Sequence, residues 1–281
     1  MSEAMPQFGT LHLIPVPISE SGDASVLPGE TCRAAQALRH FVVENARSAR
    51  RALKELGHPG PLADLIITEL PALSGNIAAT EAAWADLLAP LAEGISIGLL
   101  SEAGCPGIAD PGAGLVAWAQ ARAYPVIPHV GPSSVLLALM GSGLEGQRFS
   151  FHGYLPVDAT ERKAAIRKLE ERSGRDRASQ LLIETPYRNG AMCAALLEEL
   201  QPESRLTIAV DLTGKQQSLL TRRVSAWRLA PPDLPRLPTV FAFQAVPAAV
   251  KVKPAAPARP AAGPHRPRPN RSGKAGRGPS S

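Results

Sequence analysis

Apolar and polar positions follow two rhythms along this chain, and their order predicts strands interleaved with helices. Short apolar runs fall at 11–16, 64–70, 95–100 and 125–130. Runs of roughly four to eight apolar residues between turn signals fit strands buried on both faces. Between them, apolar residues recur three and four apart at 34–41 (a run that passes into a strand with Val42 and Val43), 48–56, 81–93, 115–123 and 135–140. That spacing predicts helices with one buried face. Gly57 and Gly94 stand as stop signals, and Thr80 as a cap. Strands alternating with helices imply a parallel sheet. Residues 141–148 form the expected link to a second half. There, strand-like runs at 149–155, 180–184, 206–210 and 239–245 accompany helices at 160–171 and 189–200. The expectation is an N-terminal α/β domain over 1–145, a smaller mixed α/β domain over 146–246, and a tail over 247–281.

The run from Ser101 to Gly114, Ser-Glu-Ala-Gly-Cys-Pro-Gly-Ile-Ala-Asp-Pro-Gly-Ala-Gly, lies between a predicted strand and a predicted helix. A small-residue loop at the carboxyl end of a strand is where open parallel sheets place ligands. Glycine and alanine let a ligand approach the backbone, and the two prolines fix the loop's path. Gly112-Ala113-Gly114-Leu115-Val116-Ala117 also fits the dinucleotide pattern G-x-G-x-x-A. However, eleven residues separate Leu100 from Gly112, and no acid stands near Val130–Ser133 where a ribose-binding carboxylate belongs. A nicotinamide or flavin site is therefore disfavoured. A plain strand-to-helix turn remains the bland alternative to a ligand loop.

Composition changes this picture in three places. The 281 residues are 44% hydrophobic, enough for a sizeable core. No window approaches a membrane span, and the first ten residues lack a secretory pattern, so a cytoplasmic location is expected. Cys32, Cys105 and Cys193 are far apart and odd in number, so neither a disulfide framework nor a metal site is expected. The net charge of +5 hides an asymmetry. Residues 250–281 carry eight Lys or Arg and no acid, which leaves 22 basic against 25 acidic residues, or −3, for the body. The Pro-, Ala- and Arg-rich tail is predicted disordered, either as a basic arm attracted to RNA or as a solubilising extension.

Several segments, in order, resemble the tetrapyrrole methylase superfamily of S-adenosylmethionine-dependent methyltransferases. They are Leu13-Ile14-Pro15-Val16-Pro17-Ile18, 101–112, Gly131-Pro132-Ser133-Ser134, 149–156, 183–188 and 211–215. Within the superfamily the chain is most similar to the ribosomal RNA small subunit methyltransferase I family, which methylates a cytidine ribose 2′-hydroxyl. The resemblance implies two α/β domains, a parallel sheet in the first and a mixed sheet in the second, with the cofactor S-adenosylmethionine in the cleft between them. It also implies a homodimer, no membrane, no metal, and ribosomal RNA or the small ribosomal subunit as partner. By the same resemblance, Pro17, Ile18, Ser101, Ala103, Gly104, Ile108, Ser134 and Val135 would meet the cofactor from the first domain. Glu184, Thr185, Leu212, Thr213, Pro238 and Thr239 would close over it from the second.

The chain departs from the family pattern on the side expected to face substrate. Ser19-Glu20 stands where the family has Gly-Asn, with Gly22-Asp23 beyond. Glu-Asp-Thr-Arg becomes Glu44-Asn45-Ala46-Arg47, and Ser-Asp-Ala-Gly-Thr-Pro becomes Ser101-Glu102-Ala103-Gly104-Cys105-Pro106. Glu-Ser-Pro-His-Arg becomes Glu184-Thr185-Pro186-Tyr187-Arg188, and Arg-Glu-Leu-Thr-Lys becomes Val210-Asp211-Leu212-Thr213-Gly214-Lys215. Arg236-Leu237-Pro238 replaces a Lys-Gly-Glu. Methyl transfer to a hydroxyl needs positioning and benefits from a base or a nearby cation. The candidates are Glu102, Glu184, Asp211 and Lys215, each alternatively a surface charge or an ion-pair member. Arg47 and Arg188 are candidate phosphate ligands. His12, His129 and His152, and Trp84 and Trp118, are expected in the core or at its rim. The expected activity is methylation of ribosomal RNA at a ribose oxygen. A small-molecule, tetrapyrrole-like methylase and a non-catalytic paralogue that binds cofactor or RNA are the alternatives.

Overall fold

The computed structural model describes residues 8–19, 24–71 and 77–246. The expected tail over 247–281, the Gly22-Asp23 pair and most of the turn after Leu70 lie outside the described residues. Residues Met1–Ala248 make one compact unit, and it carries two five-stranded sheets.

The first sheet is parallel throughout. It contains β1 (Leu11–Ile14), β2 (His40–Val43), β3 (Ile66–Glu69), β4 (Ile97–Leu100) and β5 (Val126–Pro128), in the order β3-β2-β4-β1-β5. Alternate residues point to opposite faces, and both faces are covered. Phe41, Val43 and Leu100 pack with α1 (Gly29–Ala37) and α2 (Ala46–Glu55). Val42, Ile97 and Leu99 pack with α3 (Ile77–Ala92) and α4 (Gly112–Ala121). This two-sided burial is why the inner strands β1, β2 and β4 are short, largely apolar runs.

Several helix starts differ from the expectation, most of all that of α1, which begins at Gly29 and ends at Ala37, so that 40–43 is strand. The third helix begins at Ile77, so Thr80 lies inside it and is not its cap. The fourth begins at Gly112, three residues early, because the Asp110 carboxylate accepts the N–H groups of Gly107 (2.8 Å) and Gly112 (2.7 Å). Gly114 lies against Trp84, where a Cβ would come within 2.7 Å of the indole. The two glycines of the dinucleotide-like run therefore serve helix entry and helix packing.

The second sheet is mixed. It contains β6 (Phe149–Phe151), β7 (Ser179–Glu184), β8 (Arg205–Val210), β9 (Ser218–Arg223) and β10 (Thr239–Gln244), in the order β6-β7-β10-β8-β9. Only β6 and β7 run parallel; the other pairs are antiparallel. On one face, α6 (Ala159–Asp176), α7 (Asn189–Glu199) and α8 (Val224–Leu229) build a core around Ile166, Leu196, Trp227, Phe241 and Phe243. The opposite face receives α5 (Ser134–Ser142), which follows the last strand of the first sheet. Val135 and Leu139 rest on Leu181 and Ala242, and Ala138 rests on Ala209, Leu212 and Val240. This helix joins the two halves, and the expected link begins inside it. Among the described residues no helix is long and apolar enough to cross a membrane.

Candidate active site

The loops after β1, β4 and β5 leave the same edge of the parallel sheet, where such sheets hold ligands. They are fastened to one another. The Val16 N–H donates to the Gly104 carbonyl (3.0 Å), and the Gly104 N–H donates back to Val16 (3.2 Å). Gly104 adopts φ +73°, a left-handed conformation that favours glycine. The buried Ser101 hydroxyl donates to the Gly104 carbonyl at 3.1 Å. The Cys105 thiol approaches the Pro132 carbonyl at 3.4 Å and ties in the third loop.

The second sheet presents the ends of β7 and β8 and the start of β10, where Thr239 is in register with both Glu184 and Val210. The buried Asn189 amide donates to the Leu237 carbonyl (2.7 Å) and to Thr239 Oγ1 (2.9 Å), which fixes the entry to β10.

A cavity of about 290 Å³ lies between these two edges. Of the fourteen expected cofactor residues it brings together Ile18, Ala103, Gly104, Ile108, Ser134, Val135, Glu184, Leu212, Pro238 and Thr239. The other four are placed differently. Ser101 supports the loop from behind, and Pro17 lines a neighbouring cavity. Thr185 is exposed and donates its N–H to Glu184 at 2.7 Å. Thr213 donates its N–H to Gln217, and its buried hydroxyl has no partner among the described residues. The neighbouring cavity is about 780 Å³ and is lined by the β1 loop, α2, Pro186-Tyr187, Asp211 and Arg236. The two cavities share Ile18, Glu102, Ala103 and Pro238 as a common wall.

Beside Glu184, three further carboxylates, Glu44, Glu102 and Asp110, line the first cavity. Glu44 follows β2 and was not among the expected site residues. The carboxyl-edge rule applied to β2 would have found it. Its Oε1 accepts the Glu102 N–H at 3.2 Å. Burial pushes its pKa above the ordinary value; that N–H opposes the shift, and the charges of Asp110 and Glu102 add to it.

The remaining candidates are engaged elsewhere or lie apart. The Glu184 side chain is fully buried; one oxygen accepts the Thr185 N–H, and the other lies 3.0 Å from Arg188 Nη2 without an aligned hydrogen bond. Arg188 also reaches the Leu155 and Pro156 carbonyls at 3.4 and 3.3 Å. Its guanidinium thus braces the loop after β6, and Arg188 lines neither cavity. Asp211 is buried at φ +48° and accepts from the Ser19 hydroxyl (2.5 Å) and the Gln216 N–H (2.9 Å). Gly214 follows from this, since any Cβ there would overlap the Asp211 carboxylate. Lys215 is exposed and lines neither cavity, and Arg47 is exposed on α2. Asn45, one of the departures, caps α2 by accepting the N–H groups of Arg47 (2.9 Å) and Ser48 (3.1 Å). An Asp would do the same, so that departure is structurally neutral. His12 and His129 pair with each other at 2.9 Å, and His152 pairs with Gln180 at 2.8 Å.

No family model matches the chain. The fold is nonetheless that of the tetrapyrrole methylase class. A solved structure titled diphthine synthase superposes with a TM-score of 0.56 over 84% of this chain and 90% of its own, at 15% identity. Sequence relatives narrow the class to a family. The Ribosomal RNA small subunit methyltransferase I of Neisseria meningitidis serogroup B is 30% identical over 219 residues, 77% of this chain and 68% of that protein. The protein of the same name from Synechocystis is 32% identical over 206 residues, 73% of this chain and 68% of that protein. The chain belongs to the ribosomal RNA small subunit methyltransferase I family, a family of methyltransferases.

Proposed function

We propose that this protein transfers a methyl group from S-adenosylmethionine to a ribose 2′-hydroxyl of small-subunit ribosomal RNA. One observation carries the reading: two cavities of different character meet at a wall only a few side chains thick. A donor in the first and an acceptor in the second would face each other there.

The first cavity fits the cofactor. S-adenosylmethionine carries a sulfonium and an ammonium cation and no phosphate. The lining supplies Glu44, Glu102 and Asp110 and contains no Lys or Arg. The buried Glu184 oxygen without an aligned donor would accept a ribose hydroxyl. Ile108, Val135, Leu212 and Val240 offer apolar walls for an adenine. When bound, the cofactor supplies a methyl group open to attack by an oxygen nucleophile.

The protein's part is to align that oxygen and take its proton. Glu184 does not reach the second cavity, Asp211 is committed to internal partners, and Lys215 lies outside both cavities. Glu102 is the carboxylate found in both linings, and its backbone is held by Glu44. It is assigned as the base: its carboxylate takes the hydroxyl proton as the ribose oxygen gains the methyl group. The working form is taken to be a cytoplasmic homodimer, which sedimentation equilibrium checks.

The deciding assay incubates the protein and tritiated S-adenosylmethionine with small ribosomal subunits, free ribosomal RNA and a small-molecule extract. Label at a ribose of the RNA is expected. Label confined to the extract would instead establish a small-molecule methylase, and label in none, despite cofactor binding, a non-catalytic paralogue. Glu102→Gln should lower kcat by about 100-fold or more while S-adenosylhomocysteine binds as before. Unchanged turnover would remove Glu102 from the chemistry.

A further inference from the structure

The body of this protein has a net charge of −3, which is a poor start for binding a polyanion. Four of its basic residues nonetheless stand together on one helix beside the second cavity. Helix α2 reads Ala-Arg-Ser-Ala-Arg-Arg-Ala-Leu-Lys-Glu from Ala46 to Glu55. Arg47, Arg50, Arg51 and Lys54 follow the i, i+3, i+4, i+7 spacing that puts four side chains on one face. All four are exposed. Ala49, Ala52 and Leu53 occupy the opposite, buried face. The stripe is held still at its start by the Asn45 cap and by Glu69, which accepts the Ala46 N–H at 2.7 Å.

Two cations of the second half are used differently. On α6, Lys163 and Arg167 pair with Glu198 and Glu199 of α7. Among the described residues no carboxylate forms an ion pair with Arg47, Arg50 or Lys54. A run of like charges on one face carries a repulsive cost that an anion relieves.

Arg51 turns the stripe into the second cavity, of which it is a wall. Across that cavity stand Tyr187, 81% exposed, and Arg236, whose guanidinium carbon lies 5.6 Å from the tyrosine ring centroid. An aromatic ring this exposed, flanked by a cation at a cavity mouth, is the arrangement that stacks an unpaired base while the cation meets its phosphate. The cavity has walls from both halves of the molecule, so a nucleotide enters it only when extruded from a helix or already single-stranded.

We propose that the α2 stripe and the Tyr187–Arg236 pair form the RNA track of this enzyme. The stripe carries the phosphate backbone, and the pair stacks and orders the nucleotide delivered to the wall at Glu102 and Ala103. This rests on the methyltransferase reading above and assigns its substrate contacts.

The test measures binding of free small-subunit ribosomal RNA against salt concentration, with S-adenosylhomocysteine saturating, for wild type and for Arg47→Gln/Arg50→Gln/Lys54→Gln. Single-stranded contacts contribute about 0.7 each to the log–log salt slope, so the triple variant should be shallower by about 2. Its cofactor affinity and melting temperature should match wild type, since all three side chains are exposed. Tyr187→Ala should raise the KM for RNA about tenfold without changing the slope, and Tyr187→Trp should restore it. A wild-type enzyme that labels ribosomal RNA, beside a triple variant with wild-type slope and KM, overturns the track alone. A wild type that labels no RNA overturns the functional reading and the substrate assigned to the stripe with it.

Discussion

Glu44 accepts the Glu102 N–H from inside the cofactor-side cavity, half-buried and near two further carboxylates. Its pKa is raised above the ordinary 4.5, so the folded protein holds this proton more tightly than the unfolded chain. Stability linked to Glu44 is therefore greatest below about pH 4.5 and falls as pH rises through the raised value. At neutral pH the charged form is a cost in the free protein, offset when a cation arrives beside it. Glu44→Gln is expected to raise the melting temperature at pH 7 and to weaken S-adenosylmethionine more than the uncharged-sulfur S-adenosylhomocysteine. Calorimetry with both ligands at pH 5 and pH 7 separates the two effects. Equal loss for both would show that Glu44 shapes the loop and does not meet the sulfonium charge. The same residue scale accounts for the departures from the family pattern. Asn45 remains a cap, Gly214 makes room for Asp211, and Cys105 ties one loop to the next. What looked like altered substrate contacts is in these three cases local support.

At the scale of elements, β1 and the segment after β5 are joined beyond their ladder by His12 Nδ1 and His129 Nε2, 2.9 Å apart. One ring must be a donor and the other an acceptor, so at least one stays neutral. Burial lowers both pKa values below 6.5, His12 further through His129, while Glu30 opposes the shift at His129. The unfolded chain then binds these protons more readily, and the stability is fully present above about pH 6.5 and lost as pH falls through the lowered values. His129→Ala should cost about 1 kcal/mol at neutral pH, and much less at pH 5. A cost independent of pH would mean that packing, not the pair, sets it. The inner strands β1 and β4 of this sheet were legible because two-sided burial writes them as apolar runs. β9 and α8 were not, because β9 is an edge strand in which only Leu219 and Thr221 escape full exposure among Ser218, Leu220, Arg222 and Arg223. Such a strand leaves no clean alternation. The loop after β4 was legible as a loop from its glycines and prolines. The bracing role of Arg188 was not legible, because no sequence pattern reveals that its guanidinium meets a carbonyl 33 residues away at Leu155.

For the whole molecule, the first cavity takes its walls from both halves, and α5 is one of the elements that hold them together. Ala138 is fully buried where this helix lies on Ala209, Leu212 and Val240, with Ile18 packed alongside. Leu212, Val240 and Ile18 also line the cavity, so the seam that joins the halves is continuous with the wall that would hold the ligand. A second tie, the Ser19–Asp211 hydrogen bond, bridges residues 192 positions apart. Ala138→Leu adds volume to a seam built from small side chains, and overpacking of this kind costs about 1–3 kcal/mol. The displaced side chains are cavity walls, so S-adenosylhomocysteine affinity should fall together with the melting temperature. The same substitution at an equally buried alanine away from the seam, Ala35→Leu in the core beside α1, should lower the melting temperature alone. Calorimetry on the two variants at a temperature where both remain folded decides the matter. Equal affinities would mean that the cavity tolerates a shift between the halves, and that the loops of the parallel sheet hold the cofactor with little help from the second sheet.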